Sequence, residues 1–141
     1  MRANKQLLLA CIIMPLLSCA CSGNSSGIGP KSPNTPVHQN IRAETAYQMM
    51  QQSQNYMLLD VRTMEEFMEN RIDGAILIPD YELKKRAASE LPDKDALILI
   101  YCRSGIRASG APKVLGEEGY TQVYNFGGII DWPYGTVGEK R

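Results

Sequence analysis

The chain has 141 residues, 44% of them apolar, enough to build one domain with an ordinary core and too few for two. Equal numbers of basic and acidic residues, 15 each, give a formal net charge of zero and exclude an electrostatic case for nucleic acid or a strongly acidic partner. Three of the 4 cysteines (Cys11, Cys19 and Cys21) crowd the first 21 residues, which excludes a disulfide framework and leaves Cys102 as the one thiol in the body of the chain.

Arg2 and Lys5 form a basic start, followed by the apolar run LLLACIIMPLL at residues 7–17. A bilayer-spanning helix needs about 20 apolar residues, so this run is too short for one and fits the core of a signal peptide. Leu16-Leu17-Ser18-Cys19 then resembles a bacterial lipobox. That resemblance implies cleavage after residue 18 and a lipid on the Cys19 thiol. It also implies an exported protein held at the cell membrane by acyl chains such as palmitate, two or three of which anchor stably. Cys21 fits the motif less well, because Ser18 would occupy an aliphatic position. Without residues 1–18 the chain keeps 13 basic and 15 acidic residues, a net charge near −2.

Residues 19–40 are expected to be the lipidated cysteine and a flexible tether, since Gly, Ser, Pro and Asn dominate and no apolar period appears. His38, the only histidine, falls in this stretch and is read as solvated. A domain without a histidine base is not a Cys-His hydrolase. The domain is expected over residues 41–135, with a tail at 136–141.

The spacing predicts a helix over 43–52, with Ala46, Tyr47, Met49 and Met50 on its buried side. Residues 56–61 form a short apolar run, read as a buried strand. Thr63 and Glu66 spell a capping box, so a helix should run over 64–69. A second strand is expected at 75–78, a helix at 81–89, a turn at 91–95, and the strongest strand at 96–101 (ALILIY). A helix follows at 106–118, in which Pro112 removes a hydrogen bond and threatens a kink. The last strand is expected at 121–124, broken by Gly127-Gly128. Short apolar strands alternating with helices imply an α/β fold, a small parallel sheet covered by helices on both faces. Ligands bind beyond the carboxyl ends of such strands, which points to Asp60-Val61-Arg62 and to Cys102.

Cys102, Arg103, Ser104, Gly105, Ile106 and Arg107 lie between the strongest strand and a helix. A turn there aims backbone N–H groups at one point, and Arg103 and Arg107 add two charges. These features favour thiolate over thiol and would hold an anion against the sulfur. Cys102 is the candidate nucleophile, and the five residues after it the candidate substrate cradle. Asp60 and Arg62 are read as supporting residues, paired with each other or with loop backbone. Gly74 is expected in a tight turn and Trp132 in the core. No metal-ligand set and no cofactor is expected.

The chain resembles the rhodanese family from about Ile41 to Pro133. Leu58-Leu59-Asp60-Val61-Arg62-Thr63, Glu65-Glu66-Phe67, Ile72-Asp73-Gly74-Ala75 and Ile78-Pro79 carry the first half. Tyr101-Cys102-Arg103-Ser104-Gly105, Gly119-Tyr120, Val123-Tyr124, Gly127-Gly128-Ile129 and Trp132 carry the second. The resemblance implies a sulfurtransferase with a persulfide on Cys102 and Cys102 to Arg107 as its active-site loop. It also implies a small sulfur-containing anion such as thiosulfate as donor and a thiol or cyanide as acceptor. Glu66 stands where some two-domain members place a substrate-binding arginine, which leaves substrate charge to the loop.

Two other functions use a similar loop. Cysteine phosphatases and arsenate reductases place five residues between Cys and Arg, whereas four separate Cys102 from Arg107. A tethered sulfur carrier or redox-partner module, with Cys21 as a resolving thiol, uses the same loop without turnover. Oligomeric state is not legible in the sequence.

Overall fold

Five strands form among the described residues, and the apolar runs of the sequence supply three of them. A computed structural model describes residues 37–139. The element order is β1 (Val37–Asn40), α1 (Ala43–Gln52), β2 (Tyr56–Asp60), α2 (Met64–Glu69), β3 (Ile76–Leu77), α3 (Leu83–Glu90), β4 (Leu97–Cys102), α4 (Ala111–Glu117) and β5 (Gln122–Gly128). The strands form one parallel sheet in the order β1-β5-β4-β2-β3. The central strand β4 is buried along all six residues, as an apolar run covered on both faces must be.

Alternation along β4 divides the core between the two faces. Ile98, Ile100 and Cys102 pack with Leu83 and Ala87 of α3 and with Ala111 and Leu115 of α4. Leu97, Leu99 and Tyr101 pack with Ala43 and Ala46 of α1, and with Phe126, Ile129 and Trp132. Trp132 is a core residue, and its indole N–H donates to the Gly135 carbonyl at 3.1 Å. Helices on both faces of a parallel sheet are what the strand-helix alternation implies.

Several boundaries differ from the sequence expectation. Residues 37–40, expected in the tether, pair in parallel with β5 from Val37↔Gln122 to Asn40↔Asn125. His38 accordingly meets the Tyr120 carbonyl at 3.2 Å through Nε2. At the other end, part of the expected tail folds back: Arg71 and Val137 exchange backbone hydrogen bonds of 2.7 and 2.8 Å. The strand expected at 75–78 shortens to the two residues of β3. The helix expected at 81–89 opens with a 3-10 turn, Asp80–Glu82, before α3.

The helix expected at 106–118 also splits, into a 3-10 turn Arg107–Gly110 and then α4. Pro112 falls in the first turn of α4, where its missing N–H costs nothing, so it starts a helix and kinks none. The last strand runs to Gly128. Gly127 and Gly128 stay within β5 because they form a bulge: the register advances from Ile100↔Asn125 to Cys102↔Gly128, one extra residue on β5. The expected lipobox and most of the tether, residues 1–36, lie outside the described residues.

Candidate active site

Cys102 is the last residue of β4, 1% exposed, with its side chain on the α3/α4 face of the sheet. The loop that follows turns straight back over it. The Gly105 N–H donates to Cys102 Sγ at 3.1 Å, which Gly105 allows by adopting φ +95°. Any negative charge on the sulfur therefore meets a backbone donor built into its own loop. Ser104 and Ile106 are exposed at the loop surface.

Glycine lets the end of β5 come up against this loop. A Cβ on Gly128 would collide with the Arg103 carbonyl oxygen and lie 2.6 Å from Ser104 Cα. A Cβ on Gly105 would sit 3.1 Å from Gly127 Cα. The Ile130 N–H caps the same Arg103 carbonyl at 3.3 Å. Asn125 secures the bulge by accepting the Gly127 N–H at 3.0 Å through Oδ1 and donating to Asn40 Oδ1 at 3.0 Å. The sequence marked Gly127-Gly128 as a strand breaker. The pair also carries part of the family resemblance, but nothing in the sequence assigned it a role beside the cysteine loop.

The two loop arginines have different fates. Arg103 is exposed and lines a cavity of about 190 Å³ with Glu66, Glu69, Asn70 and Ile130. Arg107 is not a free charge. Its Nη1 and Nη2 donate to Glu66 Oε2 and Oε1, each at 2.8 Å, a two-pronged ion pair. Glu66 holds Arg107 above its ordinary value, and Arg107 holds the Glu66 carboxyl down at about 2. Glu66 comes from the first turn of α2, where the expected capping box is complete: its Oε2 accepts the Thr63 N–H at 3.1 Å and its own N–H donates to Thr63 Oγ1 at 3.4 Å. The sequence identified Glu66 as a cap and missed its ion pair, because the partner lies 41 residues away.

Asp60 and Arg62 form the buried support beside the site. Arg62 Nη2 meets Asp60 Oδ2 at 2.6 Å, Nε reaches both carboxylate oxygens, and the Arg62 N–H donates to Oδ1 at 3.0 Å. The guanidinium also donates to Asn70 Oδ1 and to the Asn70 carbonyl. Burial works against the charge on Arg62, but the bonds and charge of Asp60 outweigh it and leave its pKa raised. A roomier recess of about 510 Å³, bordered by His38, Ser109, Lys113 and Glu117, is not lined by Cys102.

The geometry thus offers a sheltered sulfur nucleophile, a backbone donor on it, and guanidinium groups around its loop. Comparison with known proteins agrees. Residues 42–133 match the family model described as Rhodanese-like domain. The thiosulfate sulfurtransferase PspE of Escherichia coli (strain K12) is 41% identical over 73 residues, which cover 52% of this chain and 70% of PspE. A sulfurtransferase of Allochromatium vinosum is 38% identical over 93 residues, covering 65% of this chain and 85% of that one. A solved rhodanese with anions from E. coli is similar at 37% identity and TM-score 0.56, covering 60% of this chain and 99% of that one. The chain belongs to the rhodanese-like domain family, as an enzyme of the rhodanese-type sulfurtransferase class.

Proposed function

We propose that the chain moves sulfane sulfur from thiosulfate or an organic persulfide to a thiophilic acceptor through a persulfide on Cys102. The Cys102 thiolate attacks the outer sulfur of thiosulfate. The donor's sulfur–sulfur bond breaks, its electron pair leaves with sulfite, and a new bond forms on Cys102. Cyanide or a thiolate then takes the outer sulfur and returns the Cys102 thiolate. Backbone N–H groups of the loop and the guanidinium of Arg103 oppose the charge that develops on the leaving sulfite. The observation that carries this reading is the Gly105 N–H, aimed at Cys102 Sγ from 3.1 Å.

Intact-mass spectrometry tests it. Cys102 should gain one sulfur atom, about 32 Da, from thiosulfate or a persulfide and lose it to cyanide, as a covalent intermediate requires. Cys102→Ser should abolish both changes while the protein stays folded. A folded protein with a free thiol that gains no sulfur from any such donor would refute the reading. Repeated turnover with cyanide separates an enzyme from a carrier that is loaded once.

We also propose a membrane tether through lipid on Cys19, supported by the basic start, the short apolar run and Leu16-Leu17-Ser18 before Cys19. Among the described residues no helix is long and apolar enough to cross a membrane. In a bacterium with the lipoprotein pathway, Cys19→Ala should move the protein out of the detergent phase or leave it unprocessed. Cys21→Ala should do neither. Persistence of Cys19→Ala in the detergent phase would move the anchor elsewhere.

A further inference from the structure

We propose that Glu66 sets the charge of the sulfur site by holding Arg107 in a closed ion pair, so that the site favours a singly charged sulfur donor over a doubly charged one. This rests on the sulfurtransferase reading of Cys102 and makes Glu66 a positioning residue for that reaction.

Charge near the loop is paired almost throughout. Asp60 neutralises Arg62 at 2.6 Å, and Glu66 neutralises Arg107 through two bonds of 2.8 Å. Arg103 has no ion pair among the described residues, but it shares its cavity with Glu69 as well as Glu66. Arg107 stands within electrostatic reach of Cys102 and of Asp80. A loop that reads as doubly basic in sequence therefore presents little net positive charge.

The pair is also built to stay closed. The Glu66 carboxylate is fixed from two sides, by the Arg107 fork and by the Thr63 N–H of the capping box. The Arg107 and Glu66 side chains are only 31% and 22% exposed, so water and salt screen them less than a surface pair. Opening the pair to meet a dianion would leave Glu66 facing that dianion. A donor carrying one charge makes no such demand.

Two donors with the same sulfur–sulfur linkage test this: thiosulfate, with two charges, and methanethiosulfonate, with one. In each the Cys102 thiolate takes the outer sulfur and the bonding pair leaves, with sulfite from the first and methanesulfinate from the second. With cyanide as acceptor, the quantity to follow is the ratio of kcat/KM for thiosulfate to that for methanethiosulfonate. Glu66→Gln keeps an oxygen for the Thr63 N–H and removes the charge. It should raise the ratio about five- to tenfold at low salt, mainly through KM, with the gain shrinking as salt is added. Arg107→Gln exposes an unpaired Glu66 and should lower the ratio, while the double variant should return near wild type. Opposite signs are the signature of charge. A purely structural clamp moves both donors together in both variants. Shifts of the same sign, or an unchanged ratio, overturn the inference. Failure of wild-type Cys102 to gain sulfur from either donor is a different result, and it removes the sulfurtransferase reading itself.

Discussion

Asp60 and Arg62 are 0% and 2% exposed and meet at 2.6 Å, so neither charge has water to fall back on. Removing one partner of a buried pair costs about 3–5 kcal/mol, because the other stays charged and alone. Arg62→Met should therefore lower stability in urea by about that amount, and adding Asp60→Asn should recover part of the loss. A double variant no better than Arg62→Met would mean that the lost Asn70 contacts dominate instead. Glu66 leads to a pH prediction. Its carboxyl sits at about 2 in the folded chain against an ordinary 4.5, so the folded state binds this proton more weakly than the unfolded one. Its stabilisation is complete above about pH 4.5 and is lost as pH falls toward 2. Acid unfolding curves of Glu66→Gln should be flatter than wild type across that window and parallel to it above. The Asp60-Arg62 pair was legible because its members stand two residues apart at one strand end. The Glu66-Arg107 pair was not, since sequence spacing carries no sign of a contact made by tertiary packing.

At the scale of elements, the loop after β4 and the bulge of β5 are one device. Gly128 gives the loop its room, and Gly105 turns the N–H onto the sulfur. Gly128→Ala would drive a methyl group against Arg103 and Ser104, and the loop, having the fewer core contacts, should yield first. Displacing a reactive group by about 1 Å can cost about a hundredfold in rate. Sulfur loading of Cys102 in this variant should fall by about tenfold to a hundredfold, while the melting temperature moves by only a few degrees. A large thermal loss with normal loading in the residual folded protein would place the strain in the core instead. The loop itself was legible, because its six residues are contiguous and follow the most apolar run. The bulge was hidden: a glycine pair in sequence reads equally as a terminus or as a close approach, and only the opposing strand decides. Pro112 shows the same limit, since its effect depends on where the helix begins, and the 3-10 turn Arg107–Gly110 moved that start.

Residues 37–139 build one parallel sheet whose β5 side is covered by four residues that the sequence assigned to a linker. VHQN holds one aliphatic residue in four, so no side-chain pattern marks it as a strand. Its place is set by backbone pairing with β5, by the Ile41 N–H on the Asn125 carbonyl at 2.8 Å, and by His38 lying across Gly116. A Cβ on Gly116 would collide with His38 Cε1 and lie 2.9 Å from Nε2, so helix α4 and β1 touch through a residue without a side chain. Removing residues 1–40 rather than 1–36 would strip the β1 pairing and the His38 contacts, leave only the Ile41 bond, and expose β5 as a new sheet edge, an invitation to pair with another chain. Each backbone bond contributes about 0.5–1.5 kcal/mol net, so the shorter protein should be less stable by about 2–4 kcal/mol. It should also self-associate on concentration, where the longer one does not. Gly116→Val, made in the longer protein, should reproduce most of the loss by forcing His38 off the helix. The comparison to make is urea unfolding of the three proteins alongside their sedimentation. Equal midpoints for the two lengths would show that β1 contributes nothing to stability. An intact midpoint in Gly116→Val with a stable edge would show that the strand holds by its backbone bonds alone, without the histidine contact.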